Sequence, residues 1–147
     1  MGNIINDKYF MEQALKEAMK AFEIGEVPVG AVVVIKNKII ARAHNLTQRL
    51  NDATAHAEMQ AITSAANYLN SKYLKGCTLY ITLEPCVMCA GAIFWSQIDR
   101  IVYSTSDSKR GYSLKGKLLH PKTKVEKGLF EKESSELLKK FFQKIRK

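Results

Sequence analysis

Between residues 7 and 24, apolar side chains recur every three or four positions. Phe10, Ala14, Ala18 and Phe22 stand four apart, beside Met11, Leu15 and Met19. That period lays one apolar stripe along a helix. Asp7 is placed to cap its start and Gly25 to close it. The pattern then changes. Residues 29–35, VGAVVVI, are continuously apolar and mostly β-branched, as in a strand buried on both faces. Lys36-Asn37-Lys38 makes a turn, and 39–44 returns as a second strand. Helical spacing resumes over 55–69, with Met59, Ile62, Ala66 and Leu69 inward and Thr54 as N-cap. Residues 77–83 predict a third strand, 86–96 a helix and 100–104 a fourth strand. The stretch 105–130 reads mostly as loop, with a short strand near Val125. A last helix over 131–146 puts Leu137, Leu138, Phe141, Phe142 and Ile145 on one face.

A hairpin followed by alternating helices and strands predicts an α/β fold. The expected architecture is a three-layer α/β/α sandwich with one mixed five-stranded sheet, built from a single domain over residues 1–147. Ligands in such sheets bind where strands end and helices begin.

Composition narrows the class. Apolar residues are 46% of the chain and charged residues 25%, as in an ordinary globular domain. No apolar run reaches the roughly 18 residues that span a bilayer. The N-terminus lacks the basic and apolar regions of a secretory signal. The expected setting is the cytoplasm, with no membrane partner. The formal charge of +9 is unevenly spread. Residues 1–108 hold ten basic and ten acidic side chains, whereas 109–147 hold thirteen basic and four acidic. The whole excess lies in the last quarter, which suits a polyanionic partner or a solvated basic helix.

The chemistry concentrates in LEPCVMCAGA, residues 83–92. The chain has three cysteines, and two of them stand three apart here, directly after Pro85. Thiols in a cytosolic chain stay reduced, which disfavours a Cys86–Cys89 disulfide. One helical turn places both thiols on one face, where the helix N-terminus favours the thiolate. Metal binding and redox chemistry both fit that geometry, although Val87 and Met88 are plain fillers for a redox motif. A metal needs a further ligand. His44 and His120 read as structural. His56 opens the second helix, with Glu58 two residues on in the first turn. His56, Cys86 and Cys89 make three donors, which leaves the open position of a catalytic zinc site, and Glu58 supplies an acid/base beside it.

His56-Ala57-Glu58 with Pro85-Cys86-Val87-Met88-Cys89 matches the pattern of the zinc-dependent nucleoside and nucleobase deaminases. EVPVGAVVV, HNLT, DATAHAEMQAI, TLYITLEPCVMCAGAI and RIVYSTSDSKRG resemble the bacterial tRNA adenosine deaminases more closely. The likeness runs from about Tyr9 to Gly111 and returns in ESSELLKKFF. It implies a cytidine-deaminase-like fold with one zinc per chain held by His56, Cys86 and Cys89. Glu58 would pass protons between the activated water and the purine. Water would displace the C6 amino group of adenosine in the wobble position of a tRNA, releasing ammonia and giving inosine. Asn45 matches the family's base-binding asparagine, Val29 belongs with it in the base pocket, and Lys109 and Arg110 would meet the RNA. The family works as a homodimer on an anticodon stem-loop with a flipped base. Bacterial members usually carry a Gly-Ala-Gly-Ser-like loop where this chain reads KRGYSLKGKLLHP, a slightly shorter segment.

Three other readings compete. AIFWS is similar to guanine deaminases, so a deaminase of free guanine, cytosine or a nucleoside is the nearest rival. The basic last quarter favours RNA over a free base. A non-catalytic RNA-binding subunit with structural zinc has no use for Glu58. A redox CxxC protein is the most distant.

Overall fold

The computed structural model describes the backbone of residues 3–145 and the side chains from Asp7 to Ile145. Among the described residues four α-helices and five strands run in the order α1 (Asn3–Glu23), β1 (Gly30–Ile35), β2 (Lys38–His44), α2 (Ala57–Leu69), β3 (Cys77–Leu83), α3 (Val87–Ser96), β4 (Arg100–Thr105), β5 (Lys124–Lys127) and α4 (Glu131–Ile145). The strands form one mixed sheet in the order β2-β1-β3-β4-β5. β1 is antiparallel to β2 and β3, while β3, β4 and β5 are parallel.

The uninterrupted apolar strands are explained by what covers them. Successive side chains of a strand face opposite ways, so a strand between two helix layers must be apolar throughout. Ala31 and Val33 of β1, Leu79 and Ile81 of β3, and Ile101 and Tyr103 of β4 pack with Ala57, Ala61 and Ala65 of α2 and Ala90 and Ile93 of α3. The alternate residues Val32, Val34, Tyr80 and Val102 meet Phe10, Met11 and Ala14 of α1 on the other face. α1 lies very close to the sheet at Gly30, where a Cβ would fall 2.1 Å from the Ala14 carbonyl oxygen. Only glycine fits there.

The helices depart from the sequence pattern in instructive ways. α1 starts before Asp7, so Asp7 is not its cap. Its carboxylate instead takes two hydrogen bonds from Arg100, at 2.9 and 2.5 Å, and one from the Tyr80 hydroxyl at 2.6 Å. Gly25 follows α1 with φ +80°. Thr54 does not cap α2. It bonds Asp52, and His56 is the N-cap residue through its extended backbone. The buried face of α2 is Ala57, Glu58, Ala61 and Ala65, and Ile62, Ala66 and Leu69 flank it. Cys86 stands at the N-cap of α3 rather than within it. Lys36 and Asn37 make the hairpin turn with φ of +49° and +62°. β5 is an exposed edge strand, and residues 112–115 form one 3-10 turn. On α4, Phe141 is buried, but Phe142 and Ile145 are exposed. Arg146, expected on that helix, and Lys147 lie outside the described residues. No helix among the described residues is long and apolar enough to cross a membrane.

The topology brings five chain segments to one end of the sheet. β3 and β4 end there. Antiparallel β1 begins there, and β2 ends opposite it, with Gly30 paired to His44. Val29, Asn45, the start of α2, the start of α3 and the loop after Thr105 therefore surround one place.

Candidate metal centre and active site

Two helix starts meet at this end. His56 and Cys86 are the N-cap residues of α2 and α3, and Cys89 lies one turn into α3. The His56 side chain makes no cap bond to α2 and faces the two cysteines of α3 instead. His56 Nδ1 lies 3.6 Å from Cys86 Sγ and 3.5 Å from Cys89 Sγ. One ligand atom from each residue falls within 4.8 Å of the others. Metal–sulfur bonds of about 2.3 Å and metal–nitrogen bonds of about 2.0 Å at tetrahedral angles place nitrogen and sulfur roughly 3.6 Å apart. The three donors are thus spaced as ligands of one tetrahedral cation, and their chemistry, two soft sulfurs and an imidazole, fits it.

Their protonation follows from crowding. The hydrogen bond from the Cys89 thiol, aided by His56, holds Cys86 down to about 4. That same bond to Cys86, with burial, pushes Cys89 well above its ordinary value. His56 is raised by its hydrogen bond to Cys86. The pair is a Cys86 thiolate beside a Cys89 thiol that donates its proton to it. A cation in the place of that proton would leave both sulfurs as thiolates.

Glu58 completes the group. It is buried in the first turn of α2 at 4% exposure. Burial pushes its carboxyl up to about 7, against the pull of the His56 imidazole. A carboxyl titrating near neutral pH beside a cation site can both accept and return a proton.

The other expected residues are brought to the same end. Val29 is buried at the edge of β1, and its carbonyl accepts the Asn45 N–H at 3.1 Å. Asn45 is buried, with Nδ2 donating to Glu26 Oε1 at 3.4 Å. Gln60 donates to the His44 and Ala55 carbonyls, at 2.8 and 3.1 Å, and so ties the start of α2 to β2. Lys109 and Arg110 are exposed. With Leu114 they face Cys86, Val87 and Met88 across a depression of about 320 Å³.

Two further residues were not singled out by motif. Glu26, 1% exposed, accepts the Gln48 and Arg49 N–H groups at 3.2 and 2.8 Å and so shapes the loop after Asn45. Glu84, 3% exposed, does the same for the loop after Thr105. The one signal in the sequence is an acid beside an apolar strand, at EVPVGAVVV and ITLEPC. Its partners lie 19 or more residues away.

Known proteins match this arrangement. Residues 4–105 match the cytidine and deoxycytidylate deaminase zinc-binding region. The tRNA-specific adenosine deaminase of Aquifex aeolicus (strain VF5) is 48% identical over 145 residues, covering 95% of each chain. A solved structure from a study of A-to-I editing by tRNA:A34 deaminases at the wobble position of transfer RNA superposes with a TM-score of 0.82. It is 44% identical and covers 88% of this chain and 98% of its own. A guanine deaminase from Bacillus subtilis is 35% identical with a TM-score of 0.65, covering 74% of this chain and 68% of its own.

Proposed function

The chain belongs to the family of zinc-binding cytidine and deoxycytidylate deaminases, and from that premise we propose that it converts adenosine to inosine at the wobble position of tRNA. The reaction replaces the C6–N bond of the purine by a C6–O bond from water and releases ammonia.

His56, Cys86 and Cys89 would hold one zinc ion, with one position left open. Zinc, when bound, supplies Lewis-acid activation of a water molecule. Glu58 would take one proton from the water at a carboxylate oxygen and pass it to the purine ring, and would then carry the second, from the new C6 hydroxyl, to the leaving amine. Burial suits it to both steps by bringing its pKa to about 7. Asn45, steadied by Glu26, faces the base together with Val29. The flipped base enters beside the sulfur ligands, and Lys109 and Arg110 on the rim meet the flanking phosphates.

One observation carries the enzymatic reading: a fully buried carboxylate beside a three-donor cation site. A structural metal site needs no such acid. Support for RNA over a free base comes from the tRNA-specific relatives and from the exposed cations along the opening. The chain would act in the cytoplasm as a homodimer. The exposed ring of Trp95 on α3 is the apolar surface a second copy would cover. The test is parallel assay of the zinc-loaded protein on an anticodon stem-loop with a wobble adenosine and on free guanine. Turnover of the stem-loop supports the proposal, and turnover of guanine alone refutes it.

A further inference from the structure

We propose that Glu84 is a positioning residue that clamps the basic loop 107–113 to the metal-binding turn, so that Lys109 and Arg110 meet RNA phosphates already in register. The proposal rests on the RNA reading above and adds a residue and a mechanism to it.

The clamp is built from both ends of the loop. One carboxylate oxygen of Glu84 accepts the Asp107 N–H at 3.0 Å. The other accepts the Ser113 N–H at 3.1 Å and the Ser113 hydroxyl at 2.6 Å. Asp107 hands the order on, since its own carboxylate accepts the Lys109 and Arg110 N–H groups at 3.0 Å each. On the metal side, the Pro85 carbonyl accepts the Tyr112 N–H at 2.9 Å. The loop therefore hangs on Glu84 and Pro85, the two residues before Cys86.

Gly111 reports how tight this is. A Cβ there would lie 2.4 Å from the Glu84 carboxyl carbon. The φ of Gly111 is −62°, which any residue adopts, so the side chain of Glu84 alone requires glycine here. Glu84 is a carboxylate end that could swing away if it were free, but three donors fix it.

A buried acid with both oxygens occupied by loop donors has no role in proton transfer. It does supply preorganisation. Cations on an ordered loop bind phosphates without first losing the loop's freedom, and binding improves by that amount. The effect of losing the clamp should fall on KM and not on kcat.

Glu84→Gln keeps the shape but turns one carboxylate oxygen into an NH2 group. That group faces either the Asp107 N–H or the Ser113 N–H, so one anchor fails. The expected result is a rise of about tenfold in KM for an anticodon stem-loop, the scale of one lost hydrogen bond to a charged group. The kcat and the zinc content stay near wild type. Gly111→Ala, made from the other side of the contact, gives a similar rise in KM. In a Glu84→Ala background, Gly111→Ala adds little, because the atoms it would meet are gone; this non-additivity marks a shared contact. Trypsin, which cuts after Lys109 and Arg110, reads the loop without RNA. Cleavage at these bonds should speed up about tenfold in Glu84→Gln, following the more frequent opening of the loop.

Unchanged KM and unchanged cleavage in Glu84→Gln would overturn the proposal. So would a fall in kcat at constant KM, or additive effects of the Gly111 and Glu84 changes. If Glu84→Gln fails to fold, the KM and cleavage of Gly111→Ala decide the question. A zinc-loaded wild type inert toward the stem-loop would refute the RNA reading instead, and the cleavage rates would then decide the clamp alone.

Discussion

His56 Nδ1 lies 3.5 Å from Cys89 Sγ, across 33 residues of chain. The contact exists because two helices start at the same end of one sheet, with the His56 side chain turned from its own helix toward the other. The spacing is that of ligands sharing a cation, and a cation held there would stabilise the fold. Wild type should gain about 4 kcal/mol of stability when free zinc exceeds Kd a thousandfold. Cys86→Ser should lose most of that gain and its bound zinc. Thermal unfolding at several zinc concentrations, with elemental analysis, checks both; a full zinc complement in Cys86→Ser would remove Cys86 from the ligand set.

Glu58 is a different kind of neighbour. In the proposed reaction it would act on protons without holding the ion. Glu58→Gln should keep zinc and fold and lose about 10²–10⁴ in kcat, the usual share of a general acid/base. Near wild-type turnover would leave Glu58 as a helix-start residue only.

At the far end of the sheet, Asp7 and Arg100 make a pH-dependent contribution to stability. Burial alone would raise the Asp7 pKa, but the hydrogen bonds from Arg100 and Tyr80 outweigh it and hold the carboxyl below its usual value. A depressed folded pKa means that the stabilisation is full above the unfolded value of about 3.9 and is lost as pH falls through the folded one. Asp7→Asn should cost about 2 kcal/mol at pH 7. Below about pH 4 its stability should fall less steeply than that of wild type. Denaturant unfolding between pH 2 and 7 checks the slope; parallel curves would contradict it.

How much of this was legible in the sequence depended on where the partners lie. β3 could be placed at 77–83, because CTLYITL is apolar and aromatic apart from two β-branched threonines, and Gly76 and Pro85 bound it. The start of α2 could not. Its N-cap is His56, whose side chain faces the cysteines, while the conventional cap residue Thr54 is spent on Asp52. Asp7 looked like a cap because Arg100, its partner, is 93 residues away. The grouping of His56, Cys86 and Cys89 could be anticipated from residue type and spacing. Glu26 and Glu84 could not, since a buried acid is explained only by the loop that folds onto it.

The basic rim has its own signature. If about four to six side chains touch phosphates, log affinity should fall with log salt at about −0.7 per contact, an overall slope near −3 to −4. Lys109→Glu with Arg110→Glu should flatten that slope by about one unit or more and leave zinc in place. Stem-loop titrations at two salt concentrations measure it, and an unchanged slope would take these residues off the RNA path.

The most direct test maps inosine along an anticodon stem-loop after incubation with zinc-loaded wild type and with Glu58→Gln. The account predicts inosine at the wobble adenosine alone with wild type and almost none with the variant. A stem-loop left unedited while free guanine is rapidly deaminated would contradict it.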